Sequence, residues 1–387
     1  MKKLVFLAIL AFPLLWSCGG NKQNPDPEPE KTVTLSLADA HATAETKALY
    51  ANLWALREKG WMFGHHDDLM YGRKWYGDEG GSDTKDVCGD YPGVYALDLS
   101  SLMDERSTTE VEDNALRVKL MKQAYNRGMV VMACMHLNNP LTGGDSWDNS
   151  NNQVVAEILK TGSDTQKKFN GWLDKLATIA STLKGADGKV IPIIIRPFHE
   201  HTQTWSWWGK SCTTEQEFIA LWKYFVDYMK NAGVHSFIYA ISPQMDGNKT
   251  ENDFLFRWPG DNYVDFIGMD CYQGINNNVF VNNLKVLSKL SADKKKPAGV
   301  TETGVEGFQK ETYWIDNIAA PMAGRKMSLL CTWRNKYDPM GTGTHYFSVF
   351  PGHVSEESFK TMYARSDTYF CQDLPPMYSP VANITVQ

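Results

Sequence analysis

Residues 191–200 read Ile-Pro-Ile-Ile-Ile-Arg-Pro-Phe-His-Glu, and residues 201–209 continue as His-Thr-Gln-Thr-Trp-Ser-Trp-Trp-Gly. The short apolar run, set between prolines, predicts a buried strand. It ends in Arg196, His199 and Glu200, and three tryptophans follow at once. A buried parallel strand that leads into charged groups and aromatic surface is typical of a (β/α)8 barrel. Such a barrel carries its catalytic residues at the carboxyl ends of its strands.

Seven further apolar runs alternate with helical patterns along the chain, as expected of a parallel α/β fold. The eight predicted strands are Trp61–His65, Val94–Leu99, Val130–His136, Ile191–His199, Phe237–Ser242, Val264–Tyr272, Ala298–Glu302 and Met327–Trp333. The clearest predicted helices are Asn114–Asn126, Thr214–Ala232, Asn283–Leu290 and Ser355–Ala364. The segment Ser150–Leu183 is longer than one crossover needs, so we expect an additional helix in the third loop.

An open, doubly wound sheet is the alternative to the barrel. Such a sheet usually has a glycine-rich phosphate loop after its first strand. Residues 64–68, Gly-His-His-Asp-Asp, contain no such loop. With no internal repeat and no second linker, the sequence predicts a single catalytic domain, a (β/α)8 TIM barrel over residues 33–387.

The N-terminal segment has the pattern of a targeting sequence. Two lysines precede the apolar run Leu4–Trp16, which is short for a membrane span. The run ends in Leu15-Trp-Ser-Cys18, which resembles a bacterial lipobox with cleavage before Cys18 and lipid on its sulfur. An ordinary signal peptide with an incidental cysteine is the alternative. The segment Asn21–Lys31 then alternates proline with aspartate and glutamate, a composition that stays extended.

These features predict an exported bacterial lipoprotein. Residues 1–17 would be the signal peptide, and residues 18–32 a tether anchored to the outer membrane through Cys18. The sequence leaves open whether the protein faces the periplasm or the outside of the cell. The net charge of −6 argues against nucleic acid as a partner. We expect a monomer that needs no cofactor.

Six cysteines follow Cys18, in a compartment that permits disulfides. No CxxC pair exists among them, so a thiolate metal site is not expected. Cys134, Cys271 and Cys331 lie in apolar runs and resemble small core residues. Any two of the other three, which lie in loop-like sequence, could pair: Cys88, Cys212 and Cys371.

The ends of the predicted strands carry polar or aromatic residues. In chain order these are His65, Asp98, His136, His199 with Glu200, Gln244, Tyr272, Glu302 and Trp333. In a barrel all these ends converge on one cleft. Core packing alone would not place such residues at every strand end.

Two of these residues, Glu200 and Glu302, suit glycoside hydrolysis. That reaction needs one carboxyl to protonate the leaving oxygen and another to attack the anomeric carbon or activate water. The apolar setting of Glu200 favours the protonated acid. Thr301 and Thr303 could hold an ionised Glu302 by hydrogen bonding. Glu306 is the alternative to Glu302, but it lies beyond Gly304, in the loop.

The segment Arg196-Pro-Phe-His-Glu200 with Trp207-Trp-Gly209, and Thr301-Glu-Thr-Gly304, resemble glycoside hydrolase family 26. Supporting positions are Gly64-His65-His66, Met135-His136, Asp270-Cys271-Tyr272 and Thr332-Trp333-Arg334-Asn335. The resemblance covers the folded chain and implies a (β/α)8 barrel with glutamates on strands four and seven. It also implies a retaining endo-β-1,4-mannanase that acts on mannan polysaccharide or manno-oligosaccharides.

The resemblance implies a role for each residue at the point of cleavage. Glu200 corresponds to the acid/base and Glu302 to the nucleophile. Tyr272 would hydrogen-bond the nucleophile, and His199 would orient the site. Trp333 would form the hydrophobic platform under the sugar.

Further positions are expected to bind the substrate on either side. His136 would contact the sugar at the cleavage point, and Trp205 would line the leaving-group side. Arg334 would hold the next sugar on the non-reducing side, and Trp147 would stack in the same region. His65 is a further predicted substrate-binding residue. Trp207 and Trp208 are expected to brace the loop that carries Trp205.

Three alternatives remain at this point. The same catalytic residues could cut β-1,3-xylan or mixed-linkage β-glucan instead of galactomannan or glucomannan. A lipid-anchored, non-catalytic glycan-binding protein is the second. A metal-dependent hydrolase, suggested by residues 65–68, is the third, but Tyr272 and Trp333 do not suit a metal shell. We therefore predict that the site holds no metal.

Overall fold

The computed structural model describes residues 32–104, 108–272, 274–275 and 277–387, without the side chains of residues 108–112. The predicted signal peptide, Cys18 and nearly all of the predicted tether lie outside these residues. The predictions about targeting and anchoring therefore remain predictions.

Eight of the strands form a closed parallel barrel. In chain order the strands of the described residues are β1 (Val33–Leu35), β2 (Trp61–His66), β3 (Val94–Asp98), β4 (Val130–Cys134), β5 (Ile193–Arg196), β6 (Phe237–Ile241), β7 (Phe266–Cys271), β8 (Ala298–Thr303), β9 (Leu329–Thr332), β10 (Thr368–Tyr369) and β11 (Ile384–Val386). From β2 to β9 each strand pairs in parallel with the next, and β9 returns to β2. The eight predicted strands and the barrel are thereby confirmed.

Helices and short turns connect the strands. The α-helices are α1 (Ala44–Leu56), α2 (Asp83–Cys88), α3 (Ser100–Met103), α4 (Thr108–Asn126), α5 (Val154–Leu159), α6 (Asp164–Thr182), α7 (Glu215–Asn231), α8 (Glu251–Phe254), α9 (Asn277–Lys294), α10 (Ala320–Met322) and α11 (Glu356–Tyr363). A π-helix covers Trp314–Ala319, and single 3₁₀ turns cover Asp261–Tyr263 and Cys371–Asp373. Both α5 and α6 lie between β4 and β5, which confirms the additional helix of the third loop. None of the helices in the described part of the chain is long and apolar enough to cross a membrane.

The strand β5 is shorter than the predicted Ile191–His199. It is limited to Ile193–Arg196, between Pro192 and Pro197. Proline lacks the backbone N–H that a central strand must donate to its ladder, so the prolines mark the ends of the paired segment. As a result Phe198, His199 and Glu200 lie in the turn that follows the strand.

The barrel interior is apolar at its amino-terminal end. Leu49, Leu53 and Leu56 of α1 pack beneath strand residues such as Val94 and Ile238. Leu35 of β1, which pairs in parallel with β11, joins the same core. Both terminal segments of the described chain therefore close the end of the barrel opposite the cleft.

The three cysteines that could have paired each make another contact. The Cys88 thiol donates to the carbonyl of Asp90, Cys212 to that of Asn149, and Cys371 to that of Arg127. Cys134, Cys271 and Cys331 are buried in barrel strands, as predicted.

Candidate active site

The carboxyl ends of the barrel strands surround a cavity of about 590 Å³. Eight of the ten residues predicted to contact substrate or catalyse line it: His136, Trp147, His199, Glu200, Trp205, Tyr272, Glu302 and Trp333. Gln203, Gln244, Asp246, Glu306 and Phe347 also contribute to its walls. The convergence expected from the strand ends is therefore present.

Glu302, in β8, is almost fully buried and is held by two charged or polar donors. Arg196 Nη1 donates to its Oε1 at 2.8 Å, and the Tyr272 hydroxyl donates to its Oε2 at 2.9 Å. Hydrogen bonds from a guanidinium to a carboxylate are short and strong because both groups are ionised. The two donors therefore fix the position of the Glu302 carboxylate at the wall of the cavity.

The neighbouring threonines do not hold Glu302, contrary to the prediction. Thr301 donates to Asp270 Oδ1 at 2.7 Å, and Thr303 donates to the carbonyl of Cys271. The reason is the alternation of side chains along a strand, which turns Thr301 and Thr303 to the face opposite that of Glu302.

Arg196 connects the two carboxylates on β7 and β8. Its Nη2 donates to Asp270 Oδ2 at 2.5 Å, and its Nε donates to Ser242 Oγ at 2.9 Å. Burial lowers the pKa of Arg196, but Asp270 and Glu302 raise it further, so its pKa lies above the usual value. A fully buried guanidinium thus remains charged and holds the carboxylates of Asp270 and Glu302 in place.

Glu200 lies in a strained turn beside the same cavity. Phe198 and Glu200 have positive φ angles of 54° and 52°, which non-glycine residues adopt only where the surroundings enforce them. The Glu200 amide donates to the carbonyl of Ser242 at 2.7 Å. The Trp205 indole N–H donates to Glu200 Oε2 at 2.6 Å.

The surroundings of Glu200 favour its protonated form. Burial, and next the negative charge of Glu302, raise the pKa of Glu200 to about 8. The hydrogen bond from Trp205 opposes this rise. A carboxyl with such a pKa can donate a proton near neutral pH and take one back later.

The two glutamates lie close together across the cleft. One oxygen of Glu200 and one of Glu302 lie within 4.8 Å of each other. Retaining glycosidases hold their two carboxyls about 5–5.5 Å apart, whereas inverting enzymes leave roughly 6.5–9.5 Å for a water molecule. The approach of these two oxygens is thus closer than the inverting range, on the side of the shorter, retaining separation.

Asp98 positions His136, which comes just after β4. Its Oδ2 lies 2.5 Å from His136 Nδ1 and also accepts the His136 backbone N–H at 3.1 Å. Burial lowers the pKa of His136, but the charge and hydrogen bond of Asp98, together with the charges of nearby glutamates, raise the pKa above its usual value. The ring of His199 stands edge-on to His136 at 4.5 Å, and its Nδ1 finds no partner among the described residues.

The predicted division among the tryptophans is present in the structure. Trp207 and Trp208 are fully buried, and their indoles donate to the carbonyls of Leu137 and His199. Both tryptophans are therefore packing residues that anchor their own loop, the one that carries Trp205, to the neighbouring backbone. Trp205 lines the cleft, and the exposed Trp147 lies 4.7 Å from its ring.

A second cavity, of about 380 Å³, adjoins the first and shares His136, Trp147 and Trp333 with it. Arg334 lines this second cavity. Its guanidinium stands 5.5 Å from the Trp333 ring and donates to the Tyr71 hydroxyl. Arg334 thus lies in the adjoining cavity, next to the Trp333 ring that both cavities share.

The structure does not bring His65 to either cavity wall. It is buried, with its Nδ1 2.9 Å from Asp68 Oδ1. The next residue, His66, is also buried, and its ring packs 4.4 Å from that of Trp333. His65 therefore supports the floor of the site instead of contacting the open cleft.

Three groups of side chains in the cleft have spacings that a metal ion could use. One of them is Glu200, Asp270 and Glu302. Two of these carboxylates already pair with Arg196, whose charge would repel a cation. The other two groups combine Cys134 with histidines or Glu302, and the burial of Cys134 raises its pKa, which disfavours the thiolate a metal would need.

Sequence reasoning assigned no role to Arg196, Asp270 or Asp98. Arg196 holds Glu302 and Asp98 holds His136, two residues that were predicted, and Asp270 pairs with Arg196. Arg196 and Asp270 stood in the quoted motifs, and Asp98 was recognised as a strand end. The pairing of Arg196 with two carboxylates on other strands could not be read from local sequence.

The profile of glycosyl hydrolase family 26 matches residues 38–338. A mannan endo-1,4-β-mannosidase from Bifidobacterium adolescentis is 30% identical over 353 residues, covering 83% of this chain. The match covers 34% of that relative, so the chain spans about a third of its length.

Solved structures of family 26 mannanases are also similar to this chain. A GH26 β-mannanase from Bacteroides ovatus aligns with a TM-score of 0.80 at 34% identity, covering 87% of this chain and 98% of its own. The catalytic domain of an endo-β-1,4-mannanase from Bacillus sp. JAMB-750 aligns with a TM-score of 0.83 at 28% identity, covering 94% and 100%. With the family profile matching most of the barrel, this chain belongs to glycosyl hydrolase family 26.

Proposed function

We propose that the protein is a retaining endo-β-1,4-mannanase that cleaves mannan, galactomannan or glucomannan. The observation that carries this proposal is the pair of glutamates, which differ in environment and lie close together in the cleft. The mannanases to which the chain is similar support the choice of substrate. The second cavity continues the cleft past Trp333, which suits a polymer bound along its length.

The reaction proceeds in two displacements. Glu302 attacks the anomeric carbon while Glu200 transfers its proton to the oxygen of the leaving sugar. The resulting glycosyl ester removes the negative charge of Glu302. Because that charge helps to raise the pKa of Glu200, its loss lowers this pKa. With the lower pKa, Glu200 stays ionised after it has given up its proton. It can then take a proton from the attacking water.

The test of the nucleophile compares Glu302→Ala with Glu311→Ala. Glu311 is an exposed glutamate that follows in the same loop and makes a matched control. We expect Glu302→Ala to lower kcat on galactomannan by about 10⁴-fold or more, whereas Glu311→Ala keeps the wild-type rate. Calorimetry should show that Glu302→Ala still binds mannohexaose, which excludes misfolding as the cause.

Three outcomes would contradict the proposal. Wild-type protein that binds mannan without cleaving it would be a glycan-binding protein. Turnover of β-1,3-xylan or mixed-linkage β-glucan, with none of mannan, would replace the substrate. NMR of the first product formed distinguishes retention from inversion, and an initial α-anomer would exclude the double displacement.

We further propose that Cys18 carries the lipid anchor of an outer-membrane lipoprotein, and that the enzyme acts as a monomer. The lipobox-like sequence and the acidic, proline-rich tether support the anchor. Wild-type protein should partition with outer membranes and incorporate labelled palmitate, and Cys18→Ser should do neither. A soluble, unlabelled wild-type protein would contradict the anchor, and light scattering of residues 33–387 tests the monomer.

A further inference from the structure

A separate cavity, of about 130 Å³, lies at the end of the barrel opposite the cleft. Its walls come from three segments that each precede a strand of the barrel sheet: residues 57–61 lead into β2, residues 322–326 into β9, and Asp367 into β10. The described chain also begins at this end, where β1 joins the core. None of the lining residues was assigned a functional role from the sequence, and none lines the cleft or the cavity around Arg334.

Positive side chains outnumber negative ones in the walls of this cavity. The charged lining residues are four cations and two carboxylates: Arg57, Lys59, Arg325 and Lys326, with Glu58 and Asp367. Both carboxylates are already paired. Glu58 lies 2.7 Å from Lys326, and Asp367 lies 2.7 Å from an arginine outside the cavity. Lys59 and Arg325 have no ion-pair partner among the described residues. The cavity is therefore positive, although the chain has a net charge of −6.

The same walls contain buried N–H groups that lack an acceptor. Trp61 is 1% exposed, and its indole Nε1 has no hydrogen-bond partner in the described part of the chain. The same is true of Nε of Arg57 and Nε of Arg325. Buried donors are nearly always satisfied in native structures, because leaving one without an acceptor is costly. All three groups are donors, so the group that satisfies them must be an acceptor, and the excess of positive charge favours an anion.

Arg57 is held in place by the protein itself. Its guanidinium lies 3.3 Å from the centroid of the Trp54 ring, and its Nη1 donates to Ser291 Oγ at 2.8 Å. Its ion pair within the described chain is with Glu58, at 3.7 Å. Burial lowers the pKa of Arg57, and Glu58 opposes this only in part. An anion would stabilise such a guanidinium, and little side-chain entropy would be lost on binding because the group is already ordered.

We propose that this cavity is a binding site for a phosphate group. The phosphate oxygens accept from Nε of Arg57, from Nε of Arg325 and from the indole of Trp61, and Lys59 adds a further positive charge. A phosphate suits these donors better than a carboxylate does, because it offers more oxygens in more directions and pairs well with arginine. The cavity measures about 130 Å³ against about 590 Å³ for the cleft, so it fits one compact group and not a sugar chain.

Two sources present this group: a soluble phosphate and the headgroup of a membrane lipid. Anchoring through Cys18, as proposed above, would bring the second source close, because the described chain begins at this end of the barrel. The phosphate site itself does not depend on the anchor or on the mannanase activity.

The first experiment titrates inorganic phosphate into wild-type protein in a phosphate-free buffer and measures the heat of binding. We expect saturable binding with a stoichiometry of one. Arg325→Ala and Lys59→Ala should each weaken it about tenfold or more, because each removes a charged donor. The matched control is Lys175→Ala, which removes an exposed lysine of α6 that does not line the cavity and should leave Kd unchanged. All three variants should keep the wild-type circular dichroism spectrum, which excludes misfolding.

The second experiment identifies the source. The full chain with Cys18→Ser, which cannot take the proposed lipid, is sedimented with vesicles of phosphatidylglycerol or of phosphatidylcholine, whose headgroup has no net charge. Stronger binding to phosphatidylglycerol, reduced by Arg325→Ala and by added inorganic phosphate, would identify a lipid headgroup. Binding of inorganic phosphate without such a preference would identify a soluble phosphate.

Three results would overturn the phosphate site. The first is the absence of saturable phosphate binding in the calorimeter, whatever the vesicles show. The second is undiminished binding by Arg325→Ala and Lys59→Ala. The third is an equal loss in Lys175→Ala, because phosphate would then respond to the overall charge of the protein and not to this cavity.

Discussion

At the scale of single residues, we expect Glu200 and Trp205 to set the pH dependence of the proposed activity. Glu200 must be protonated to release the leaving sugar, and its pKa is raised to about 8. We therefore expect kcat/KM to fall on the alkaline side, with an apparent pKa near 8. The Trp205 indole stabilises the ionised form through its hydrogen bond. Trp205→Phe should thus move the alkaline limb to higher pH, and a limb at unchanged or lower pH would contradict this account.

The raised pKa of Glu200 also affects stability. Between the ordinary carboxyl pKa and about 8, the folded state binds more protons than the unfolded state at this group. Glu200 therefore lowers the free energy of unfolding as pH rises through this interval. We expect Glu200→Gln to be more stable than wild type at pH 7, by about 1 kcal/mol or more, with little difference at pH 4. Urea unfolding at the two pH values measures this, and a gain of the same size at both would exclude the linkage.

At the scale of secondary structure, Gly268 in β7 makes room for the residues that hold Arg196 and Asp270. A Cβ at this position would clash with Ser242 Oγ and with Thr301 Oγ1. Those hydroxyls bond to Arg196 and Asp270, which position the nucleophile. A small side chain on β7 would therefore disturb the site through two neighbouring strands.

Gly268→Ala should cost about 1–3 kcal/mol of stability and reduce kcat. The matched control is Gly171→Ala in α6, where an added Cβ meets no atom within 4 Å. That control should gain about 0.5–1 kcal/mol, because alanine favours the helix, and should keep wild-type kcat. The measurements are the urea midpoint and the rate on galactomannan. Equal effects from the two substitutions would show that the packing around Gly268 determines neither the stability nor the kcat.

The sequence predicted those strands and helices that have a recognisable pattern within a short stretch of residues. Apolar runs located all eight barrel strands, and the long segment after β4 indicated the additional helices α5 and α6. The prolines beside β5 set its ends, although the predicted strand ran through them to His199. The turn at Phe198–Glu200 was not predicted as such, because its left-handed backbone depends on packing around it and not on a glycine.

At the scale of the whole molecule, the sequence did not predict contacts between segments that lie far apart in the chain. The pairing of β1 with β11 joins residues about 350 positions apart and has no local pattern. The same limit applies to Arg196, whose partners Asp270 and Glu302 lie on strands far along the chain. Glu200 and Glu302 were found because each was predicted at the end of a strand and the barrel fold brings strand ends together. His65 was predicted at a strand end too, yet it lies within β2 and is buried beside Asp68.

The terminal sheet should stabilise the barrel without affecting the chemistry. Leu35 of β1 is buried against the amino-terminal end of the barrel core, whereas its neighbour Thr34 is exposed on the same strand. Leu35→Ala should lower the free energy of unfolding by about 2–4 kcal/mol, because it leaves a cavity, and Thr34→Ala should change it by less than about 0.5 kcal/mol. Both variants should retain wild-type kcat/KM on galactomannan, since the cleft lies at the other end of the barrel. A loss of activity in folded Leu35→Ala would mean that the closure of the barrel floor also positions the catalytic strand ends.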